Sequence, residues 1–342
     1  MKKKVYVCNT GGTIGMKPTV NGYEPRAGFL VELMRSIPEL SHHEMPQYEL
    51  HEFDPLLDSA NMRPCNWLSI AKDIQQRYEE FDGFIVMHGT DTMAYTASAL
   101  SFLLRNLGKP VILTGSQIPL CEIRNDAREN LITSLMVAAN FNVPEVSICF
   151  GGYLLRGCRA KKVTASGFDA FQSPNLAALG SIGTSINLNS ELVQEQSSAK
   201  FSLAFEQDQG PQVAAFRLFP GINHEILANL FRPPLKGIVI EAFGVGNAPS
   251  NDSRFLEAVK SATDRGVVVV VCTQCNQGKV DLEGYAAGSA LEKAGAIGGL
   301  DMTAEAALAK LYCLLNIYQN VEQVKVEMQK NWAGELTDNR SD

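Results

Sequence analysis

Lys4-Val5-Tyr6-Val7-Cys8-Asn9-Thr10-Gly11-Gly12-Thr13 opens the chain with an apolar, β-branched run that stops at two glycines and a hydroxyl. The pattern predicts a buried strand over residues 4–9, followed by a tight turn. It has an echo. Phe84-Ile85-Val86-Met87 is a second compact apolar run, and His88-Gly89-Thr90-Asp91-Thr92 follows it. Each turn sets hydroxyls just past the end of a strand, and the second adds a carboxylate. Open α/β sheets assemble their reactive sites at such strand ends, and neither turn is needed to fill a core.

Working outward from these turns, strands and helices alternate. Further strands are predicted over 49–53, 110–114 and 146–150, with helices over 29–37, 64–78 and 129–140. Pro64 fits the first turn of its helix. The alternation predicts a mostly parallel sheet covered on both faces. Residues 190–212 are rich in Ser, Glu and Gln and read as a domain connection. A second α/β rhythm follows, with strands over 213–219, 237–241 and 267–272 and helices over 224–230, 251–264 and 303–318. A chain of 342 residues is long enough for two cores. The predicted division is an N-terminal domain over 1–190 carrying most of the chemistry, a linker over 191–212, and a smaller C-terminal α/β domain over 213–342.

Charge and cysteine usage exclude several classes. The formal net charge is -7 and the only compact basic run is Lys2-Lys3-Lys4, which argues against a nucleic-acid binder. The apolar run at residues 5–8 is too short for an export signal. Charged or turn residues also break the later runs before they reach membrane-spanning length. The expectation is a soluble, cytoplasmic protein. The 8 cysteines are scattered, and Cys8, Cys149 and Cys272 sit in strand-like runs. Cys272 and Cys275 form an isolated Cys-x-x-Cys with no second pair, so core thiols in a reducing compartment are expected rather than disulfides or zinc.

Gly11 and Gly12 let the backbone turn tightly beside a substrate. The turn lacks both the Walker lysine pattern and the dinucleotide fingerprint, which leaves Thr13 as a candidate nucleophile in need of a proton acceptor. Tyr23 is near enough in sequence to close over Thr13, although a structural tyrosine fits equally well. Thr90, Asp91 and Thr92 read either as helix caps or as a carboxylate and hydroxyls gripping a substrate ammonium. Lys162, beside Arg159 and Lys161, is either part of a solvated basic turn or the group that lowers the proton affinity of a threonine. Asp58 and Ser59 either close a turn or bind the carboxylate and amine of a small amino acid. His88 reads as a structural histidine, and the adjacent His42 and His43 do not make a metal shell.

Taken together, these residues resemble the bacterial-type asparaginase family, most closely its cytoplasmic type I branch. The resemblance is carried by Thr10-Gly11-Gly12-Thr13-Ile14-Gly15, His88-Gly89-Thr90-Asp91-Thr92 and Phe243-Gly244-Val245-Gly246-Asn247-Ala248-Pro249. Asp58-Ser59 and Lys162 followed by Gly167-Phe168-Asp169 also fit, and the likeness covers nearly the whole chain. It implies a two-domain α/β fold with mostly parallel sheets flanked by helices. The implied reaction hydrolyses L-asparagine with water to L-aspartate and ammonia, through an acyl-enzyme ester on Thr13 and without a metal or organic cofactor. Tyr23 would be the mobile-loop partner of Thr13, while Thr90, Asp91 and Lys162 form a second triad-like set. Asp58, Ser59, Gly89, Thr90 and Asp91 would contact the substrate. Asn247 would reach it from a neighbouring subunit of an intimate homodimer or a dimer-of-dimers tetramer.

One departure concerns regulation. Some cytoplasmic relatives bind asparagine at a separate effector site through an Arg and a Thr, where this chain has Glu241 and Lys161; Cys275 keeps another position of that pattern. The reversed charge at Glu241 opposes a substrate carboxylate, so weak or absent activation by asparagine is expected. Three rival functions stay open: an L-glutamine-preferring amidase, an amidase component that supplies ammonia to a partner, and a small-amino-acid sensor.

Overall fold

The structure, a computed structural model, describes residues 2–284 and 286–337. Contacts divide the chain after Leu203, into units Met1–Leu203 and Ala204–Asp342.

In the first unit, eight strands form one sheet. They are β1 (Lys4–Gly11), β2 (Gln47–Leu57), β3 (Gly83–Met87), β4 (Val111–Thr114), β5 (Val146–Phe150), β6 (Tyr153–Arg156), β7 (Gly180–Ile182) and β8 (Ile186–Leu188). Their order is β8-β7-β6-β5-β4-β3-β1-β2. The five strands from β2 to β5 are parallel and the remaining three are antiparallel. Every residue of β3, β4 and β5 is buried. This explains why those runs are continuously apolar rather than alternating: helices cover parallel strands on both faces. The helices are α1 (Phe29–Arg35), α2 (Pro64–Arg77), α3 (Met93–Leu103) and α4 (Ala127–Asn140).

Three local readings change. Strand β1 runs to Gly11, and β2 takes in residues 54–57, where a polar loop is expected from the sequence. The reason is tertiary: after a register shift Gly11 pairs with Leu57, and Gly12 N–H donates to Leu57 O at 3.1 Å. Thr92 occupies the N-cap position of α3 but makes no capping bond. Its hydroxyl donates instead to Ser59 O at 2.8 Å, fastening the turn after β2 to the start of α3. Within residues 191–203, Ser202–Leu203 pairs with Leu104–Arg105, and the Phe201 ring stacks on Tyr78 with centroids 3.8 Å apart.

The second unit holds a parallel sheet in the order β9 (Gln212–Arg217), β10 (Leu235–Ala242), β11 (Val268–Thr273), β12 (Ile297–Gly298). Its helices are α5 (His224–Leu230), α6 (Ser253–Asp264), α7 (Ala286–Lys293), α8 (Ala304–Ile317) and α9 (Val321–Met328). Side chains cap four of them at the N-terminus: Asn223, Asp252, Thr303 and Asn320 each accept a first-turn N–H. Among the described residues, no helix is long and apolar enough to cross a membrane. All 8 cysteines are free thiols.

Candidate active site

Strand β1 lies between β2 on one side and β3 on the other. Chain order reverses there, so β1 and β3 flank the switch point at which connecting loops leave in opposite directions and open a crevice at the carboxyl ends. Parallel pairing of Asn9 with Met87 brings both strands to the same level before their turns begin. Thr10 Oγ1 donates to Met87 O at 2.8 Å and ties the two ends together.

The turns then meet backbone to backbone. A Cβ on Gly12 would lie 2.3 Å from Gly89 N and 2.6 Å from Gly89 Cα. A Cβ on Gly89 would lie 2.5 Å from Ser59 Oγ. The φ of +90° at Gly12 is itself in glycine's range. The turns that carry Thr13 and Thr90, which follow β1 and β3, therefore meet, with Ser59 after β2 against the second of them, because two side chains are missing.

A network of hydrogen bonds organises the far side of this junction. Lys162 Nζ donates to Thr90 Oγ1 at 2.8 Å and to Asp91 Oδ1 at 2.7 Å. The Lys162 side chain is 18% exposed and that of Asp91 is 66% exposed, so the pair straddles the edge of the crevice. Thr90 Oγ1 donates to Gln117 Oε1 at 3.1 Å. Gln117 sits after β4, with its N–H held by the Asp126 carboxylate at 2.9 Å and 3.1 Å. The hydroxyl of neighbouring Ser116 is buried without a partner among the described residues.

Behind the Thr90 turn runs a buried relay. Gly89 O can only accept, so His88 Nδ1 carries the proton and donates to it at 2.7 Å. His88 Nε2 then accepts from Thr96 Oγ1 at 2.8 Å, and Thr96 in turn accepts from Trp67 Nε1 at 3.1 Å. Burial pushes the His88 pKa down to about 4. The imidazole is a neutral strut that aims Gly89, not a general base facing solvent.

The other sequence-selected residues are placed as follows. Thr13 is half-buried and starts a single turn of 3-10 helix, Thr13–Gly15. Tyr23 lies on the exposed hairpin Met16–Thr19/Gly22–Pro25, and its hydroxyl donates to Glu122 Oε1 at 2.8 Å. That bond raises the Tyr23 pKa; the phenol thus has Glu122, not Thr13, as its partner here. Asp58 closes its turn by accepting Ala60 N–H at 2.9 Å, and Ser59 is buried beside it. Asn247 is half-buried in the second unit, in a tight turn closed by two backbone bonds with Phe243. Glu241 lies 3.5 Å from the Arg217 guanidinium on the adjacent strand, so its charge is not isolated.

Sequence reasoning missed Gln117, Glu122 and Glu52. Glu52 accepts from Asn9 Nδ2 at 2.9 Å and from Gly28 N–H at 2.6 Å, and so holds both ends of the segment that carries Thr13 and Tyr23. A signal for Gln117 was present: Thr114-Gly115-Ser116-Gln117 is a third strand-end turn of glycine and hydroxyl residues.

Comparison with known proteins matches the chain to a family. The family described as "Asparaginase, N-terminal" matches residues 4–194, and "Glutaminase/Asparaginase C-terminal domain" matches residues 212–328. The chain belongs to the asparaginase family. Among asparaginases it is 47% identical to L-asparaginase 1 of Escherichia coli (strain K12), over 98% of each chain. The solved structure of L-asparaginase I from Vibrio cholerae superposes with a TM-score of 0.91 at 46% identity, covering 98% of this chain and 100% of that one. Similarity also extends to a protein with another name. The 60 kDa lysophospholipase of Homo sapiens is 40% identical over 98% of this chain, and the match covers 62% of that longer protein.

Proposed function

We propose that this protein is an L-asparagine amidohydrolase that releases L-aspartate and ammonia. The observation that carries this reading is the Gly12–Gly89 contact, which sets the Thr13 turn against a Thr90–Lys162–Asp91 network at the sheet's switch point. A binding-only protein needs the carboxylates and amides of such a site. It has no need of a lysine spent on a threonine hydroxyl, which is why the sensor reading is the weaker one.

Thr13 Oγ1 attacks the side-chain amide carbon of asparagine, giving up its proton as the C–O bond forms. Tyr23 relays that proton when its hairpin leaves Glu122 and closes over Thr13: its neutral hydroxyl accepts from Thr13 Oγ1 while giving its own proton to the leaving amide nitrogen. The tetrahedral intermediate collapses by expelling ammonia, which takes a proton as it leaves, and an ester remains on Thr13. Water then attacks the ester carbonyl and regenerates the hydroxyl. Asp91, with Asp58 and Ser59, holds the α-ammonium and α-carboxylate end of the substrate, and Gly89 shapes the floor through its backbone. Residues 1–190 supply these groups. Residues 213–342, joined through 191–212, supply Asn247 to a neighbouring subunit of a homodimer or dimer-of-dimers tetramer. The same reading puts the protein in the cytoplasm.

The test is ammonia and aspartate release from L-asparagine by the purified protein, with L-glutamine run in parallel. Thr13→Ala is expected to lower kcat by at least about a thousandfold while asparagine still binds. Turnover that survives in Thr13→Ala contradicts the assigned nucleophile. Faster release from L-glutamine than from L-asparagine contradicts the assigned substrate.

A further inference from the structure

We propose that Gln117 is a positioning residue that fixes the direction of the Thr90 hydroxyl proton. Taken with the amide-hydrolysis reading above, on which this assignment rests, that direction decides what Thr90 offers to a reacting group.

The orientation of the Gln117 amide follows from its partners. Ala165 O and Gly167 O face one end of the amide at 3.2 Å and 3.0 Å. Carbonyl oxygens only accept, so that end is the NH2 group. The other end, Oε1, has no proton, and Thr90 Oγ1 at 3.1 Å therefore donates to it. Lys162, held by Asp91, has only donors, so Thr90 Oγ1 accepts from Nζ at 2.8 Å. A hydroxyl has one proton and two lone pairs. Gln117 takes the proton and Lys162 occupies one lone pair, which leaves a single lone pair for the crevice.

Thr90 consequently meets the reacting group as an acceptor. It orients a water, or an N–H of the substrate amide, because its own proton is already committed to Gln117 Oε1. This separates the two threonines: Thr13 attacks, and Thr90 steers. The amide is well fixed for the purpose, because Asp126 is buried and holds the Gln117 backbone as well as Ile118 N–H at 3.0 Å. Lys162 and Asp91 lie across Thr90 from the amide, and Asp126 lies under its backbone.

Two variants test the assignment against wild-type protein with L-asparagine. Gln117→Met keeps the length of the side chain and removes both polar ends. It is expected to lower kcat about tenfold or more, with KM within about threefold and Tm within about 3 °C. Gln117→Glu keeps an acceptor for Thr90 in either protonation state and, once ionised, loses the donors to Ala165 O and Gly167 O. Its kcat at about pH 8 is expected to stay within about threefold of wild type, well above that of Gln117→Met. A purely structural Gln117, needed for its bonds to the two carbonyls, leaves Gln117→Glu as impaired as Gln117→Met. Wild-type-like kcat (within twofold) in Gln117→Met, or a Gln117→Glu as slow as Gln117→Met, overturns the assignment while leaving an active wild-type enzyme intact. An inactive wild-type protein overturns the functional reading and this assignment with it.

Discussion

At the scale of single residues, His88 shows how a titratable group beside a candidate active site can be held as a neutral structural element. Its two nitrogens are both committed, one to Gly89 O and the other to the Thr96 hydroxyl, and it is fully buried. The folded-state pKa of about 4 lies below the ordinary imidazole value of 6.5. Between those values the unfolded chain takes up a proton that the folded chain refuses. The neutral imidazole's contribution is therefore complete above about pH 6.5 and is lost as the pH falls toward 4. The loss amounts to roughly 2–3 kcal/mol by about pH 4.5. Urea unfolding at about pH 7 and 4.5 should show His88→Gln losing less stability than wild type over that interval. Equal losses in the two proteins would remove His88 from this account. The sequence reading of His88 as structural came from the lack of a recognisable partner set. The relay through Thr96 and Trp67 was not legible, because those residues lie on two helices and no local pattern links them.

At the scale of elements, the site depends on two strand-end turns approaching more closely than side chains allow. Periodicity and glycine placement were enough to read the strands that carry them, since each is a short apolar run ended by Gly and Thr. The end of β2 was not readable in the same way. Residues 54–57 join the sheet because Gly11 and Gly12 reach across to Leu57, a contact about 45 residues away in sequence that overrides the polar, proline-containing local pattern. For a similar reason Thr92 looked like a helix cap and proved to be a tie to Ser59 O. The Gly12–Gly89 contact makes a sharp prediction. Gly12→Ala must place a methyl 2.3 Å from a backbone nitrogen at a φ of +90°, and backbone cannot move aside as a flexible side chain can. A loss of at least about 2 kcal/mol in unfolding free energy is expected, with turnover falling because Thr13 and Thr90 are forced apart. Gly22→Ala is the control. Its φ is also positive, at +112°, but its Cβ meets nothing within 4 Å, so it isolates the backbone penalty from the collision. Equal destabilisation in the two variants would mean that conformation, not the close approach, explains these glycines.

At the scale of the whole molecule, two contiguous α/β rhythms separated by a polar stretch made the two-unit plan legible. Assembly is a different matter, since no periodicity records whether any surface faces another copy. The groups proposed to act on asparagine, except Asn247, lie within the first unit, and Asn247 lies in the second. The turn that carries Asn247 is built with care: Gly244 and Gly246 adopt φ of +49° and +116°, and paired backbone bonds join Phe243 to Asn247. If a neighbouring subunit donates Asn247, then Thr13→Ala and Asn247→Ala protomers damage different halves of a shared site. Each variant alone should be nearly inactive. Refolding them together at equal amounts makes half of the dimers mixed, and each mixed dimer combines one intact Thr13 turn with one intact Asn247 turn. Activity should recover to about a quarter of that of wild type. A site built within one chain behaves otherwise, since every site in the mixture then carries one lesion and nothing recovers. An Asn247→Ala protein that is fully active before mixing would take Asn247 out of the site altogether. The mixing result thus decides whether the catalytic unit is the chain or the pair, a question posed by Thr13 and Asn247 falling in different units.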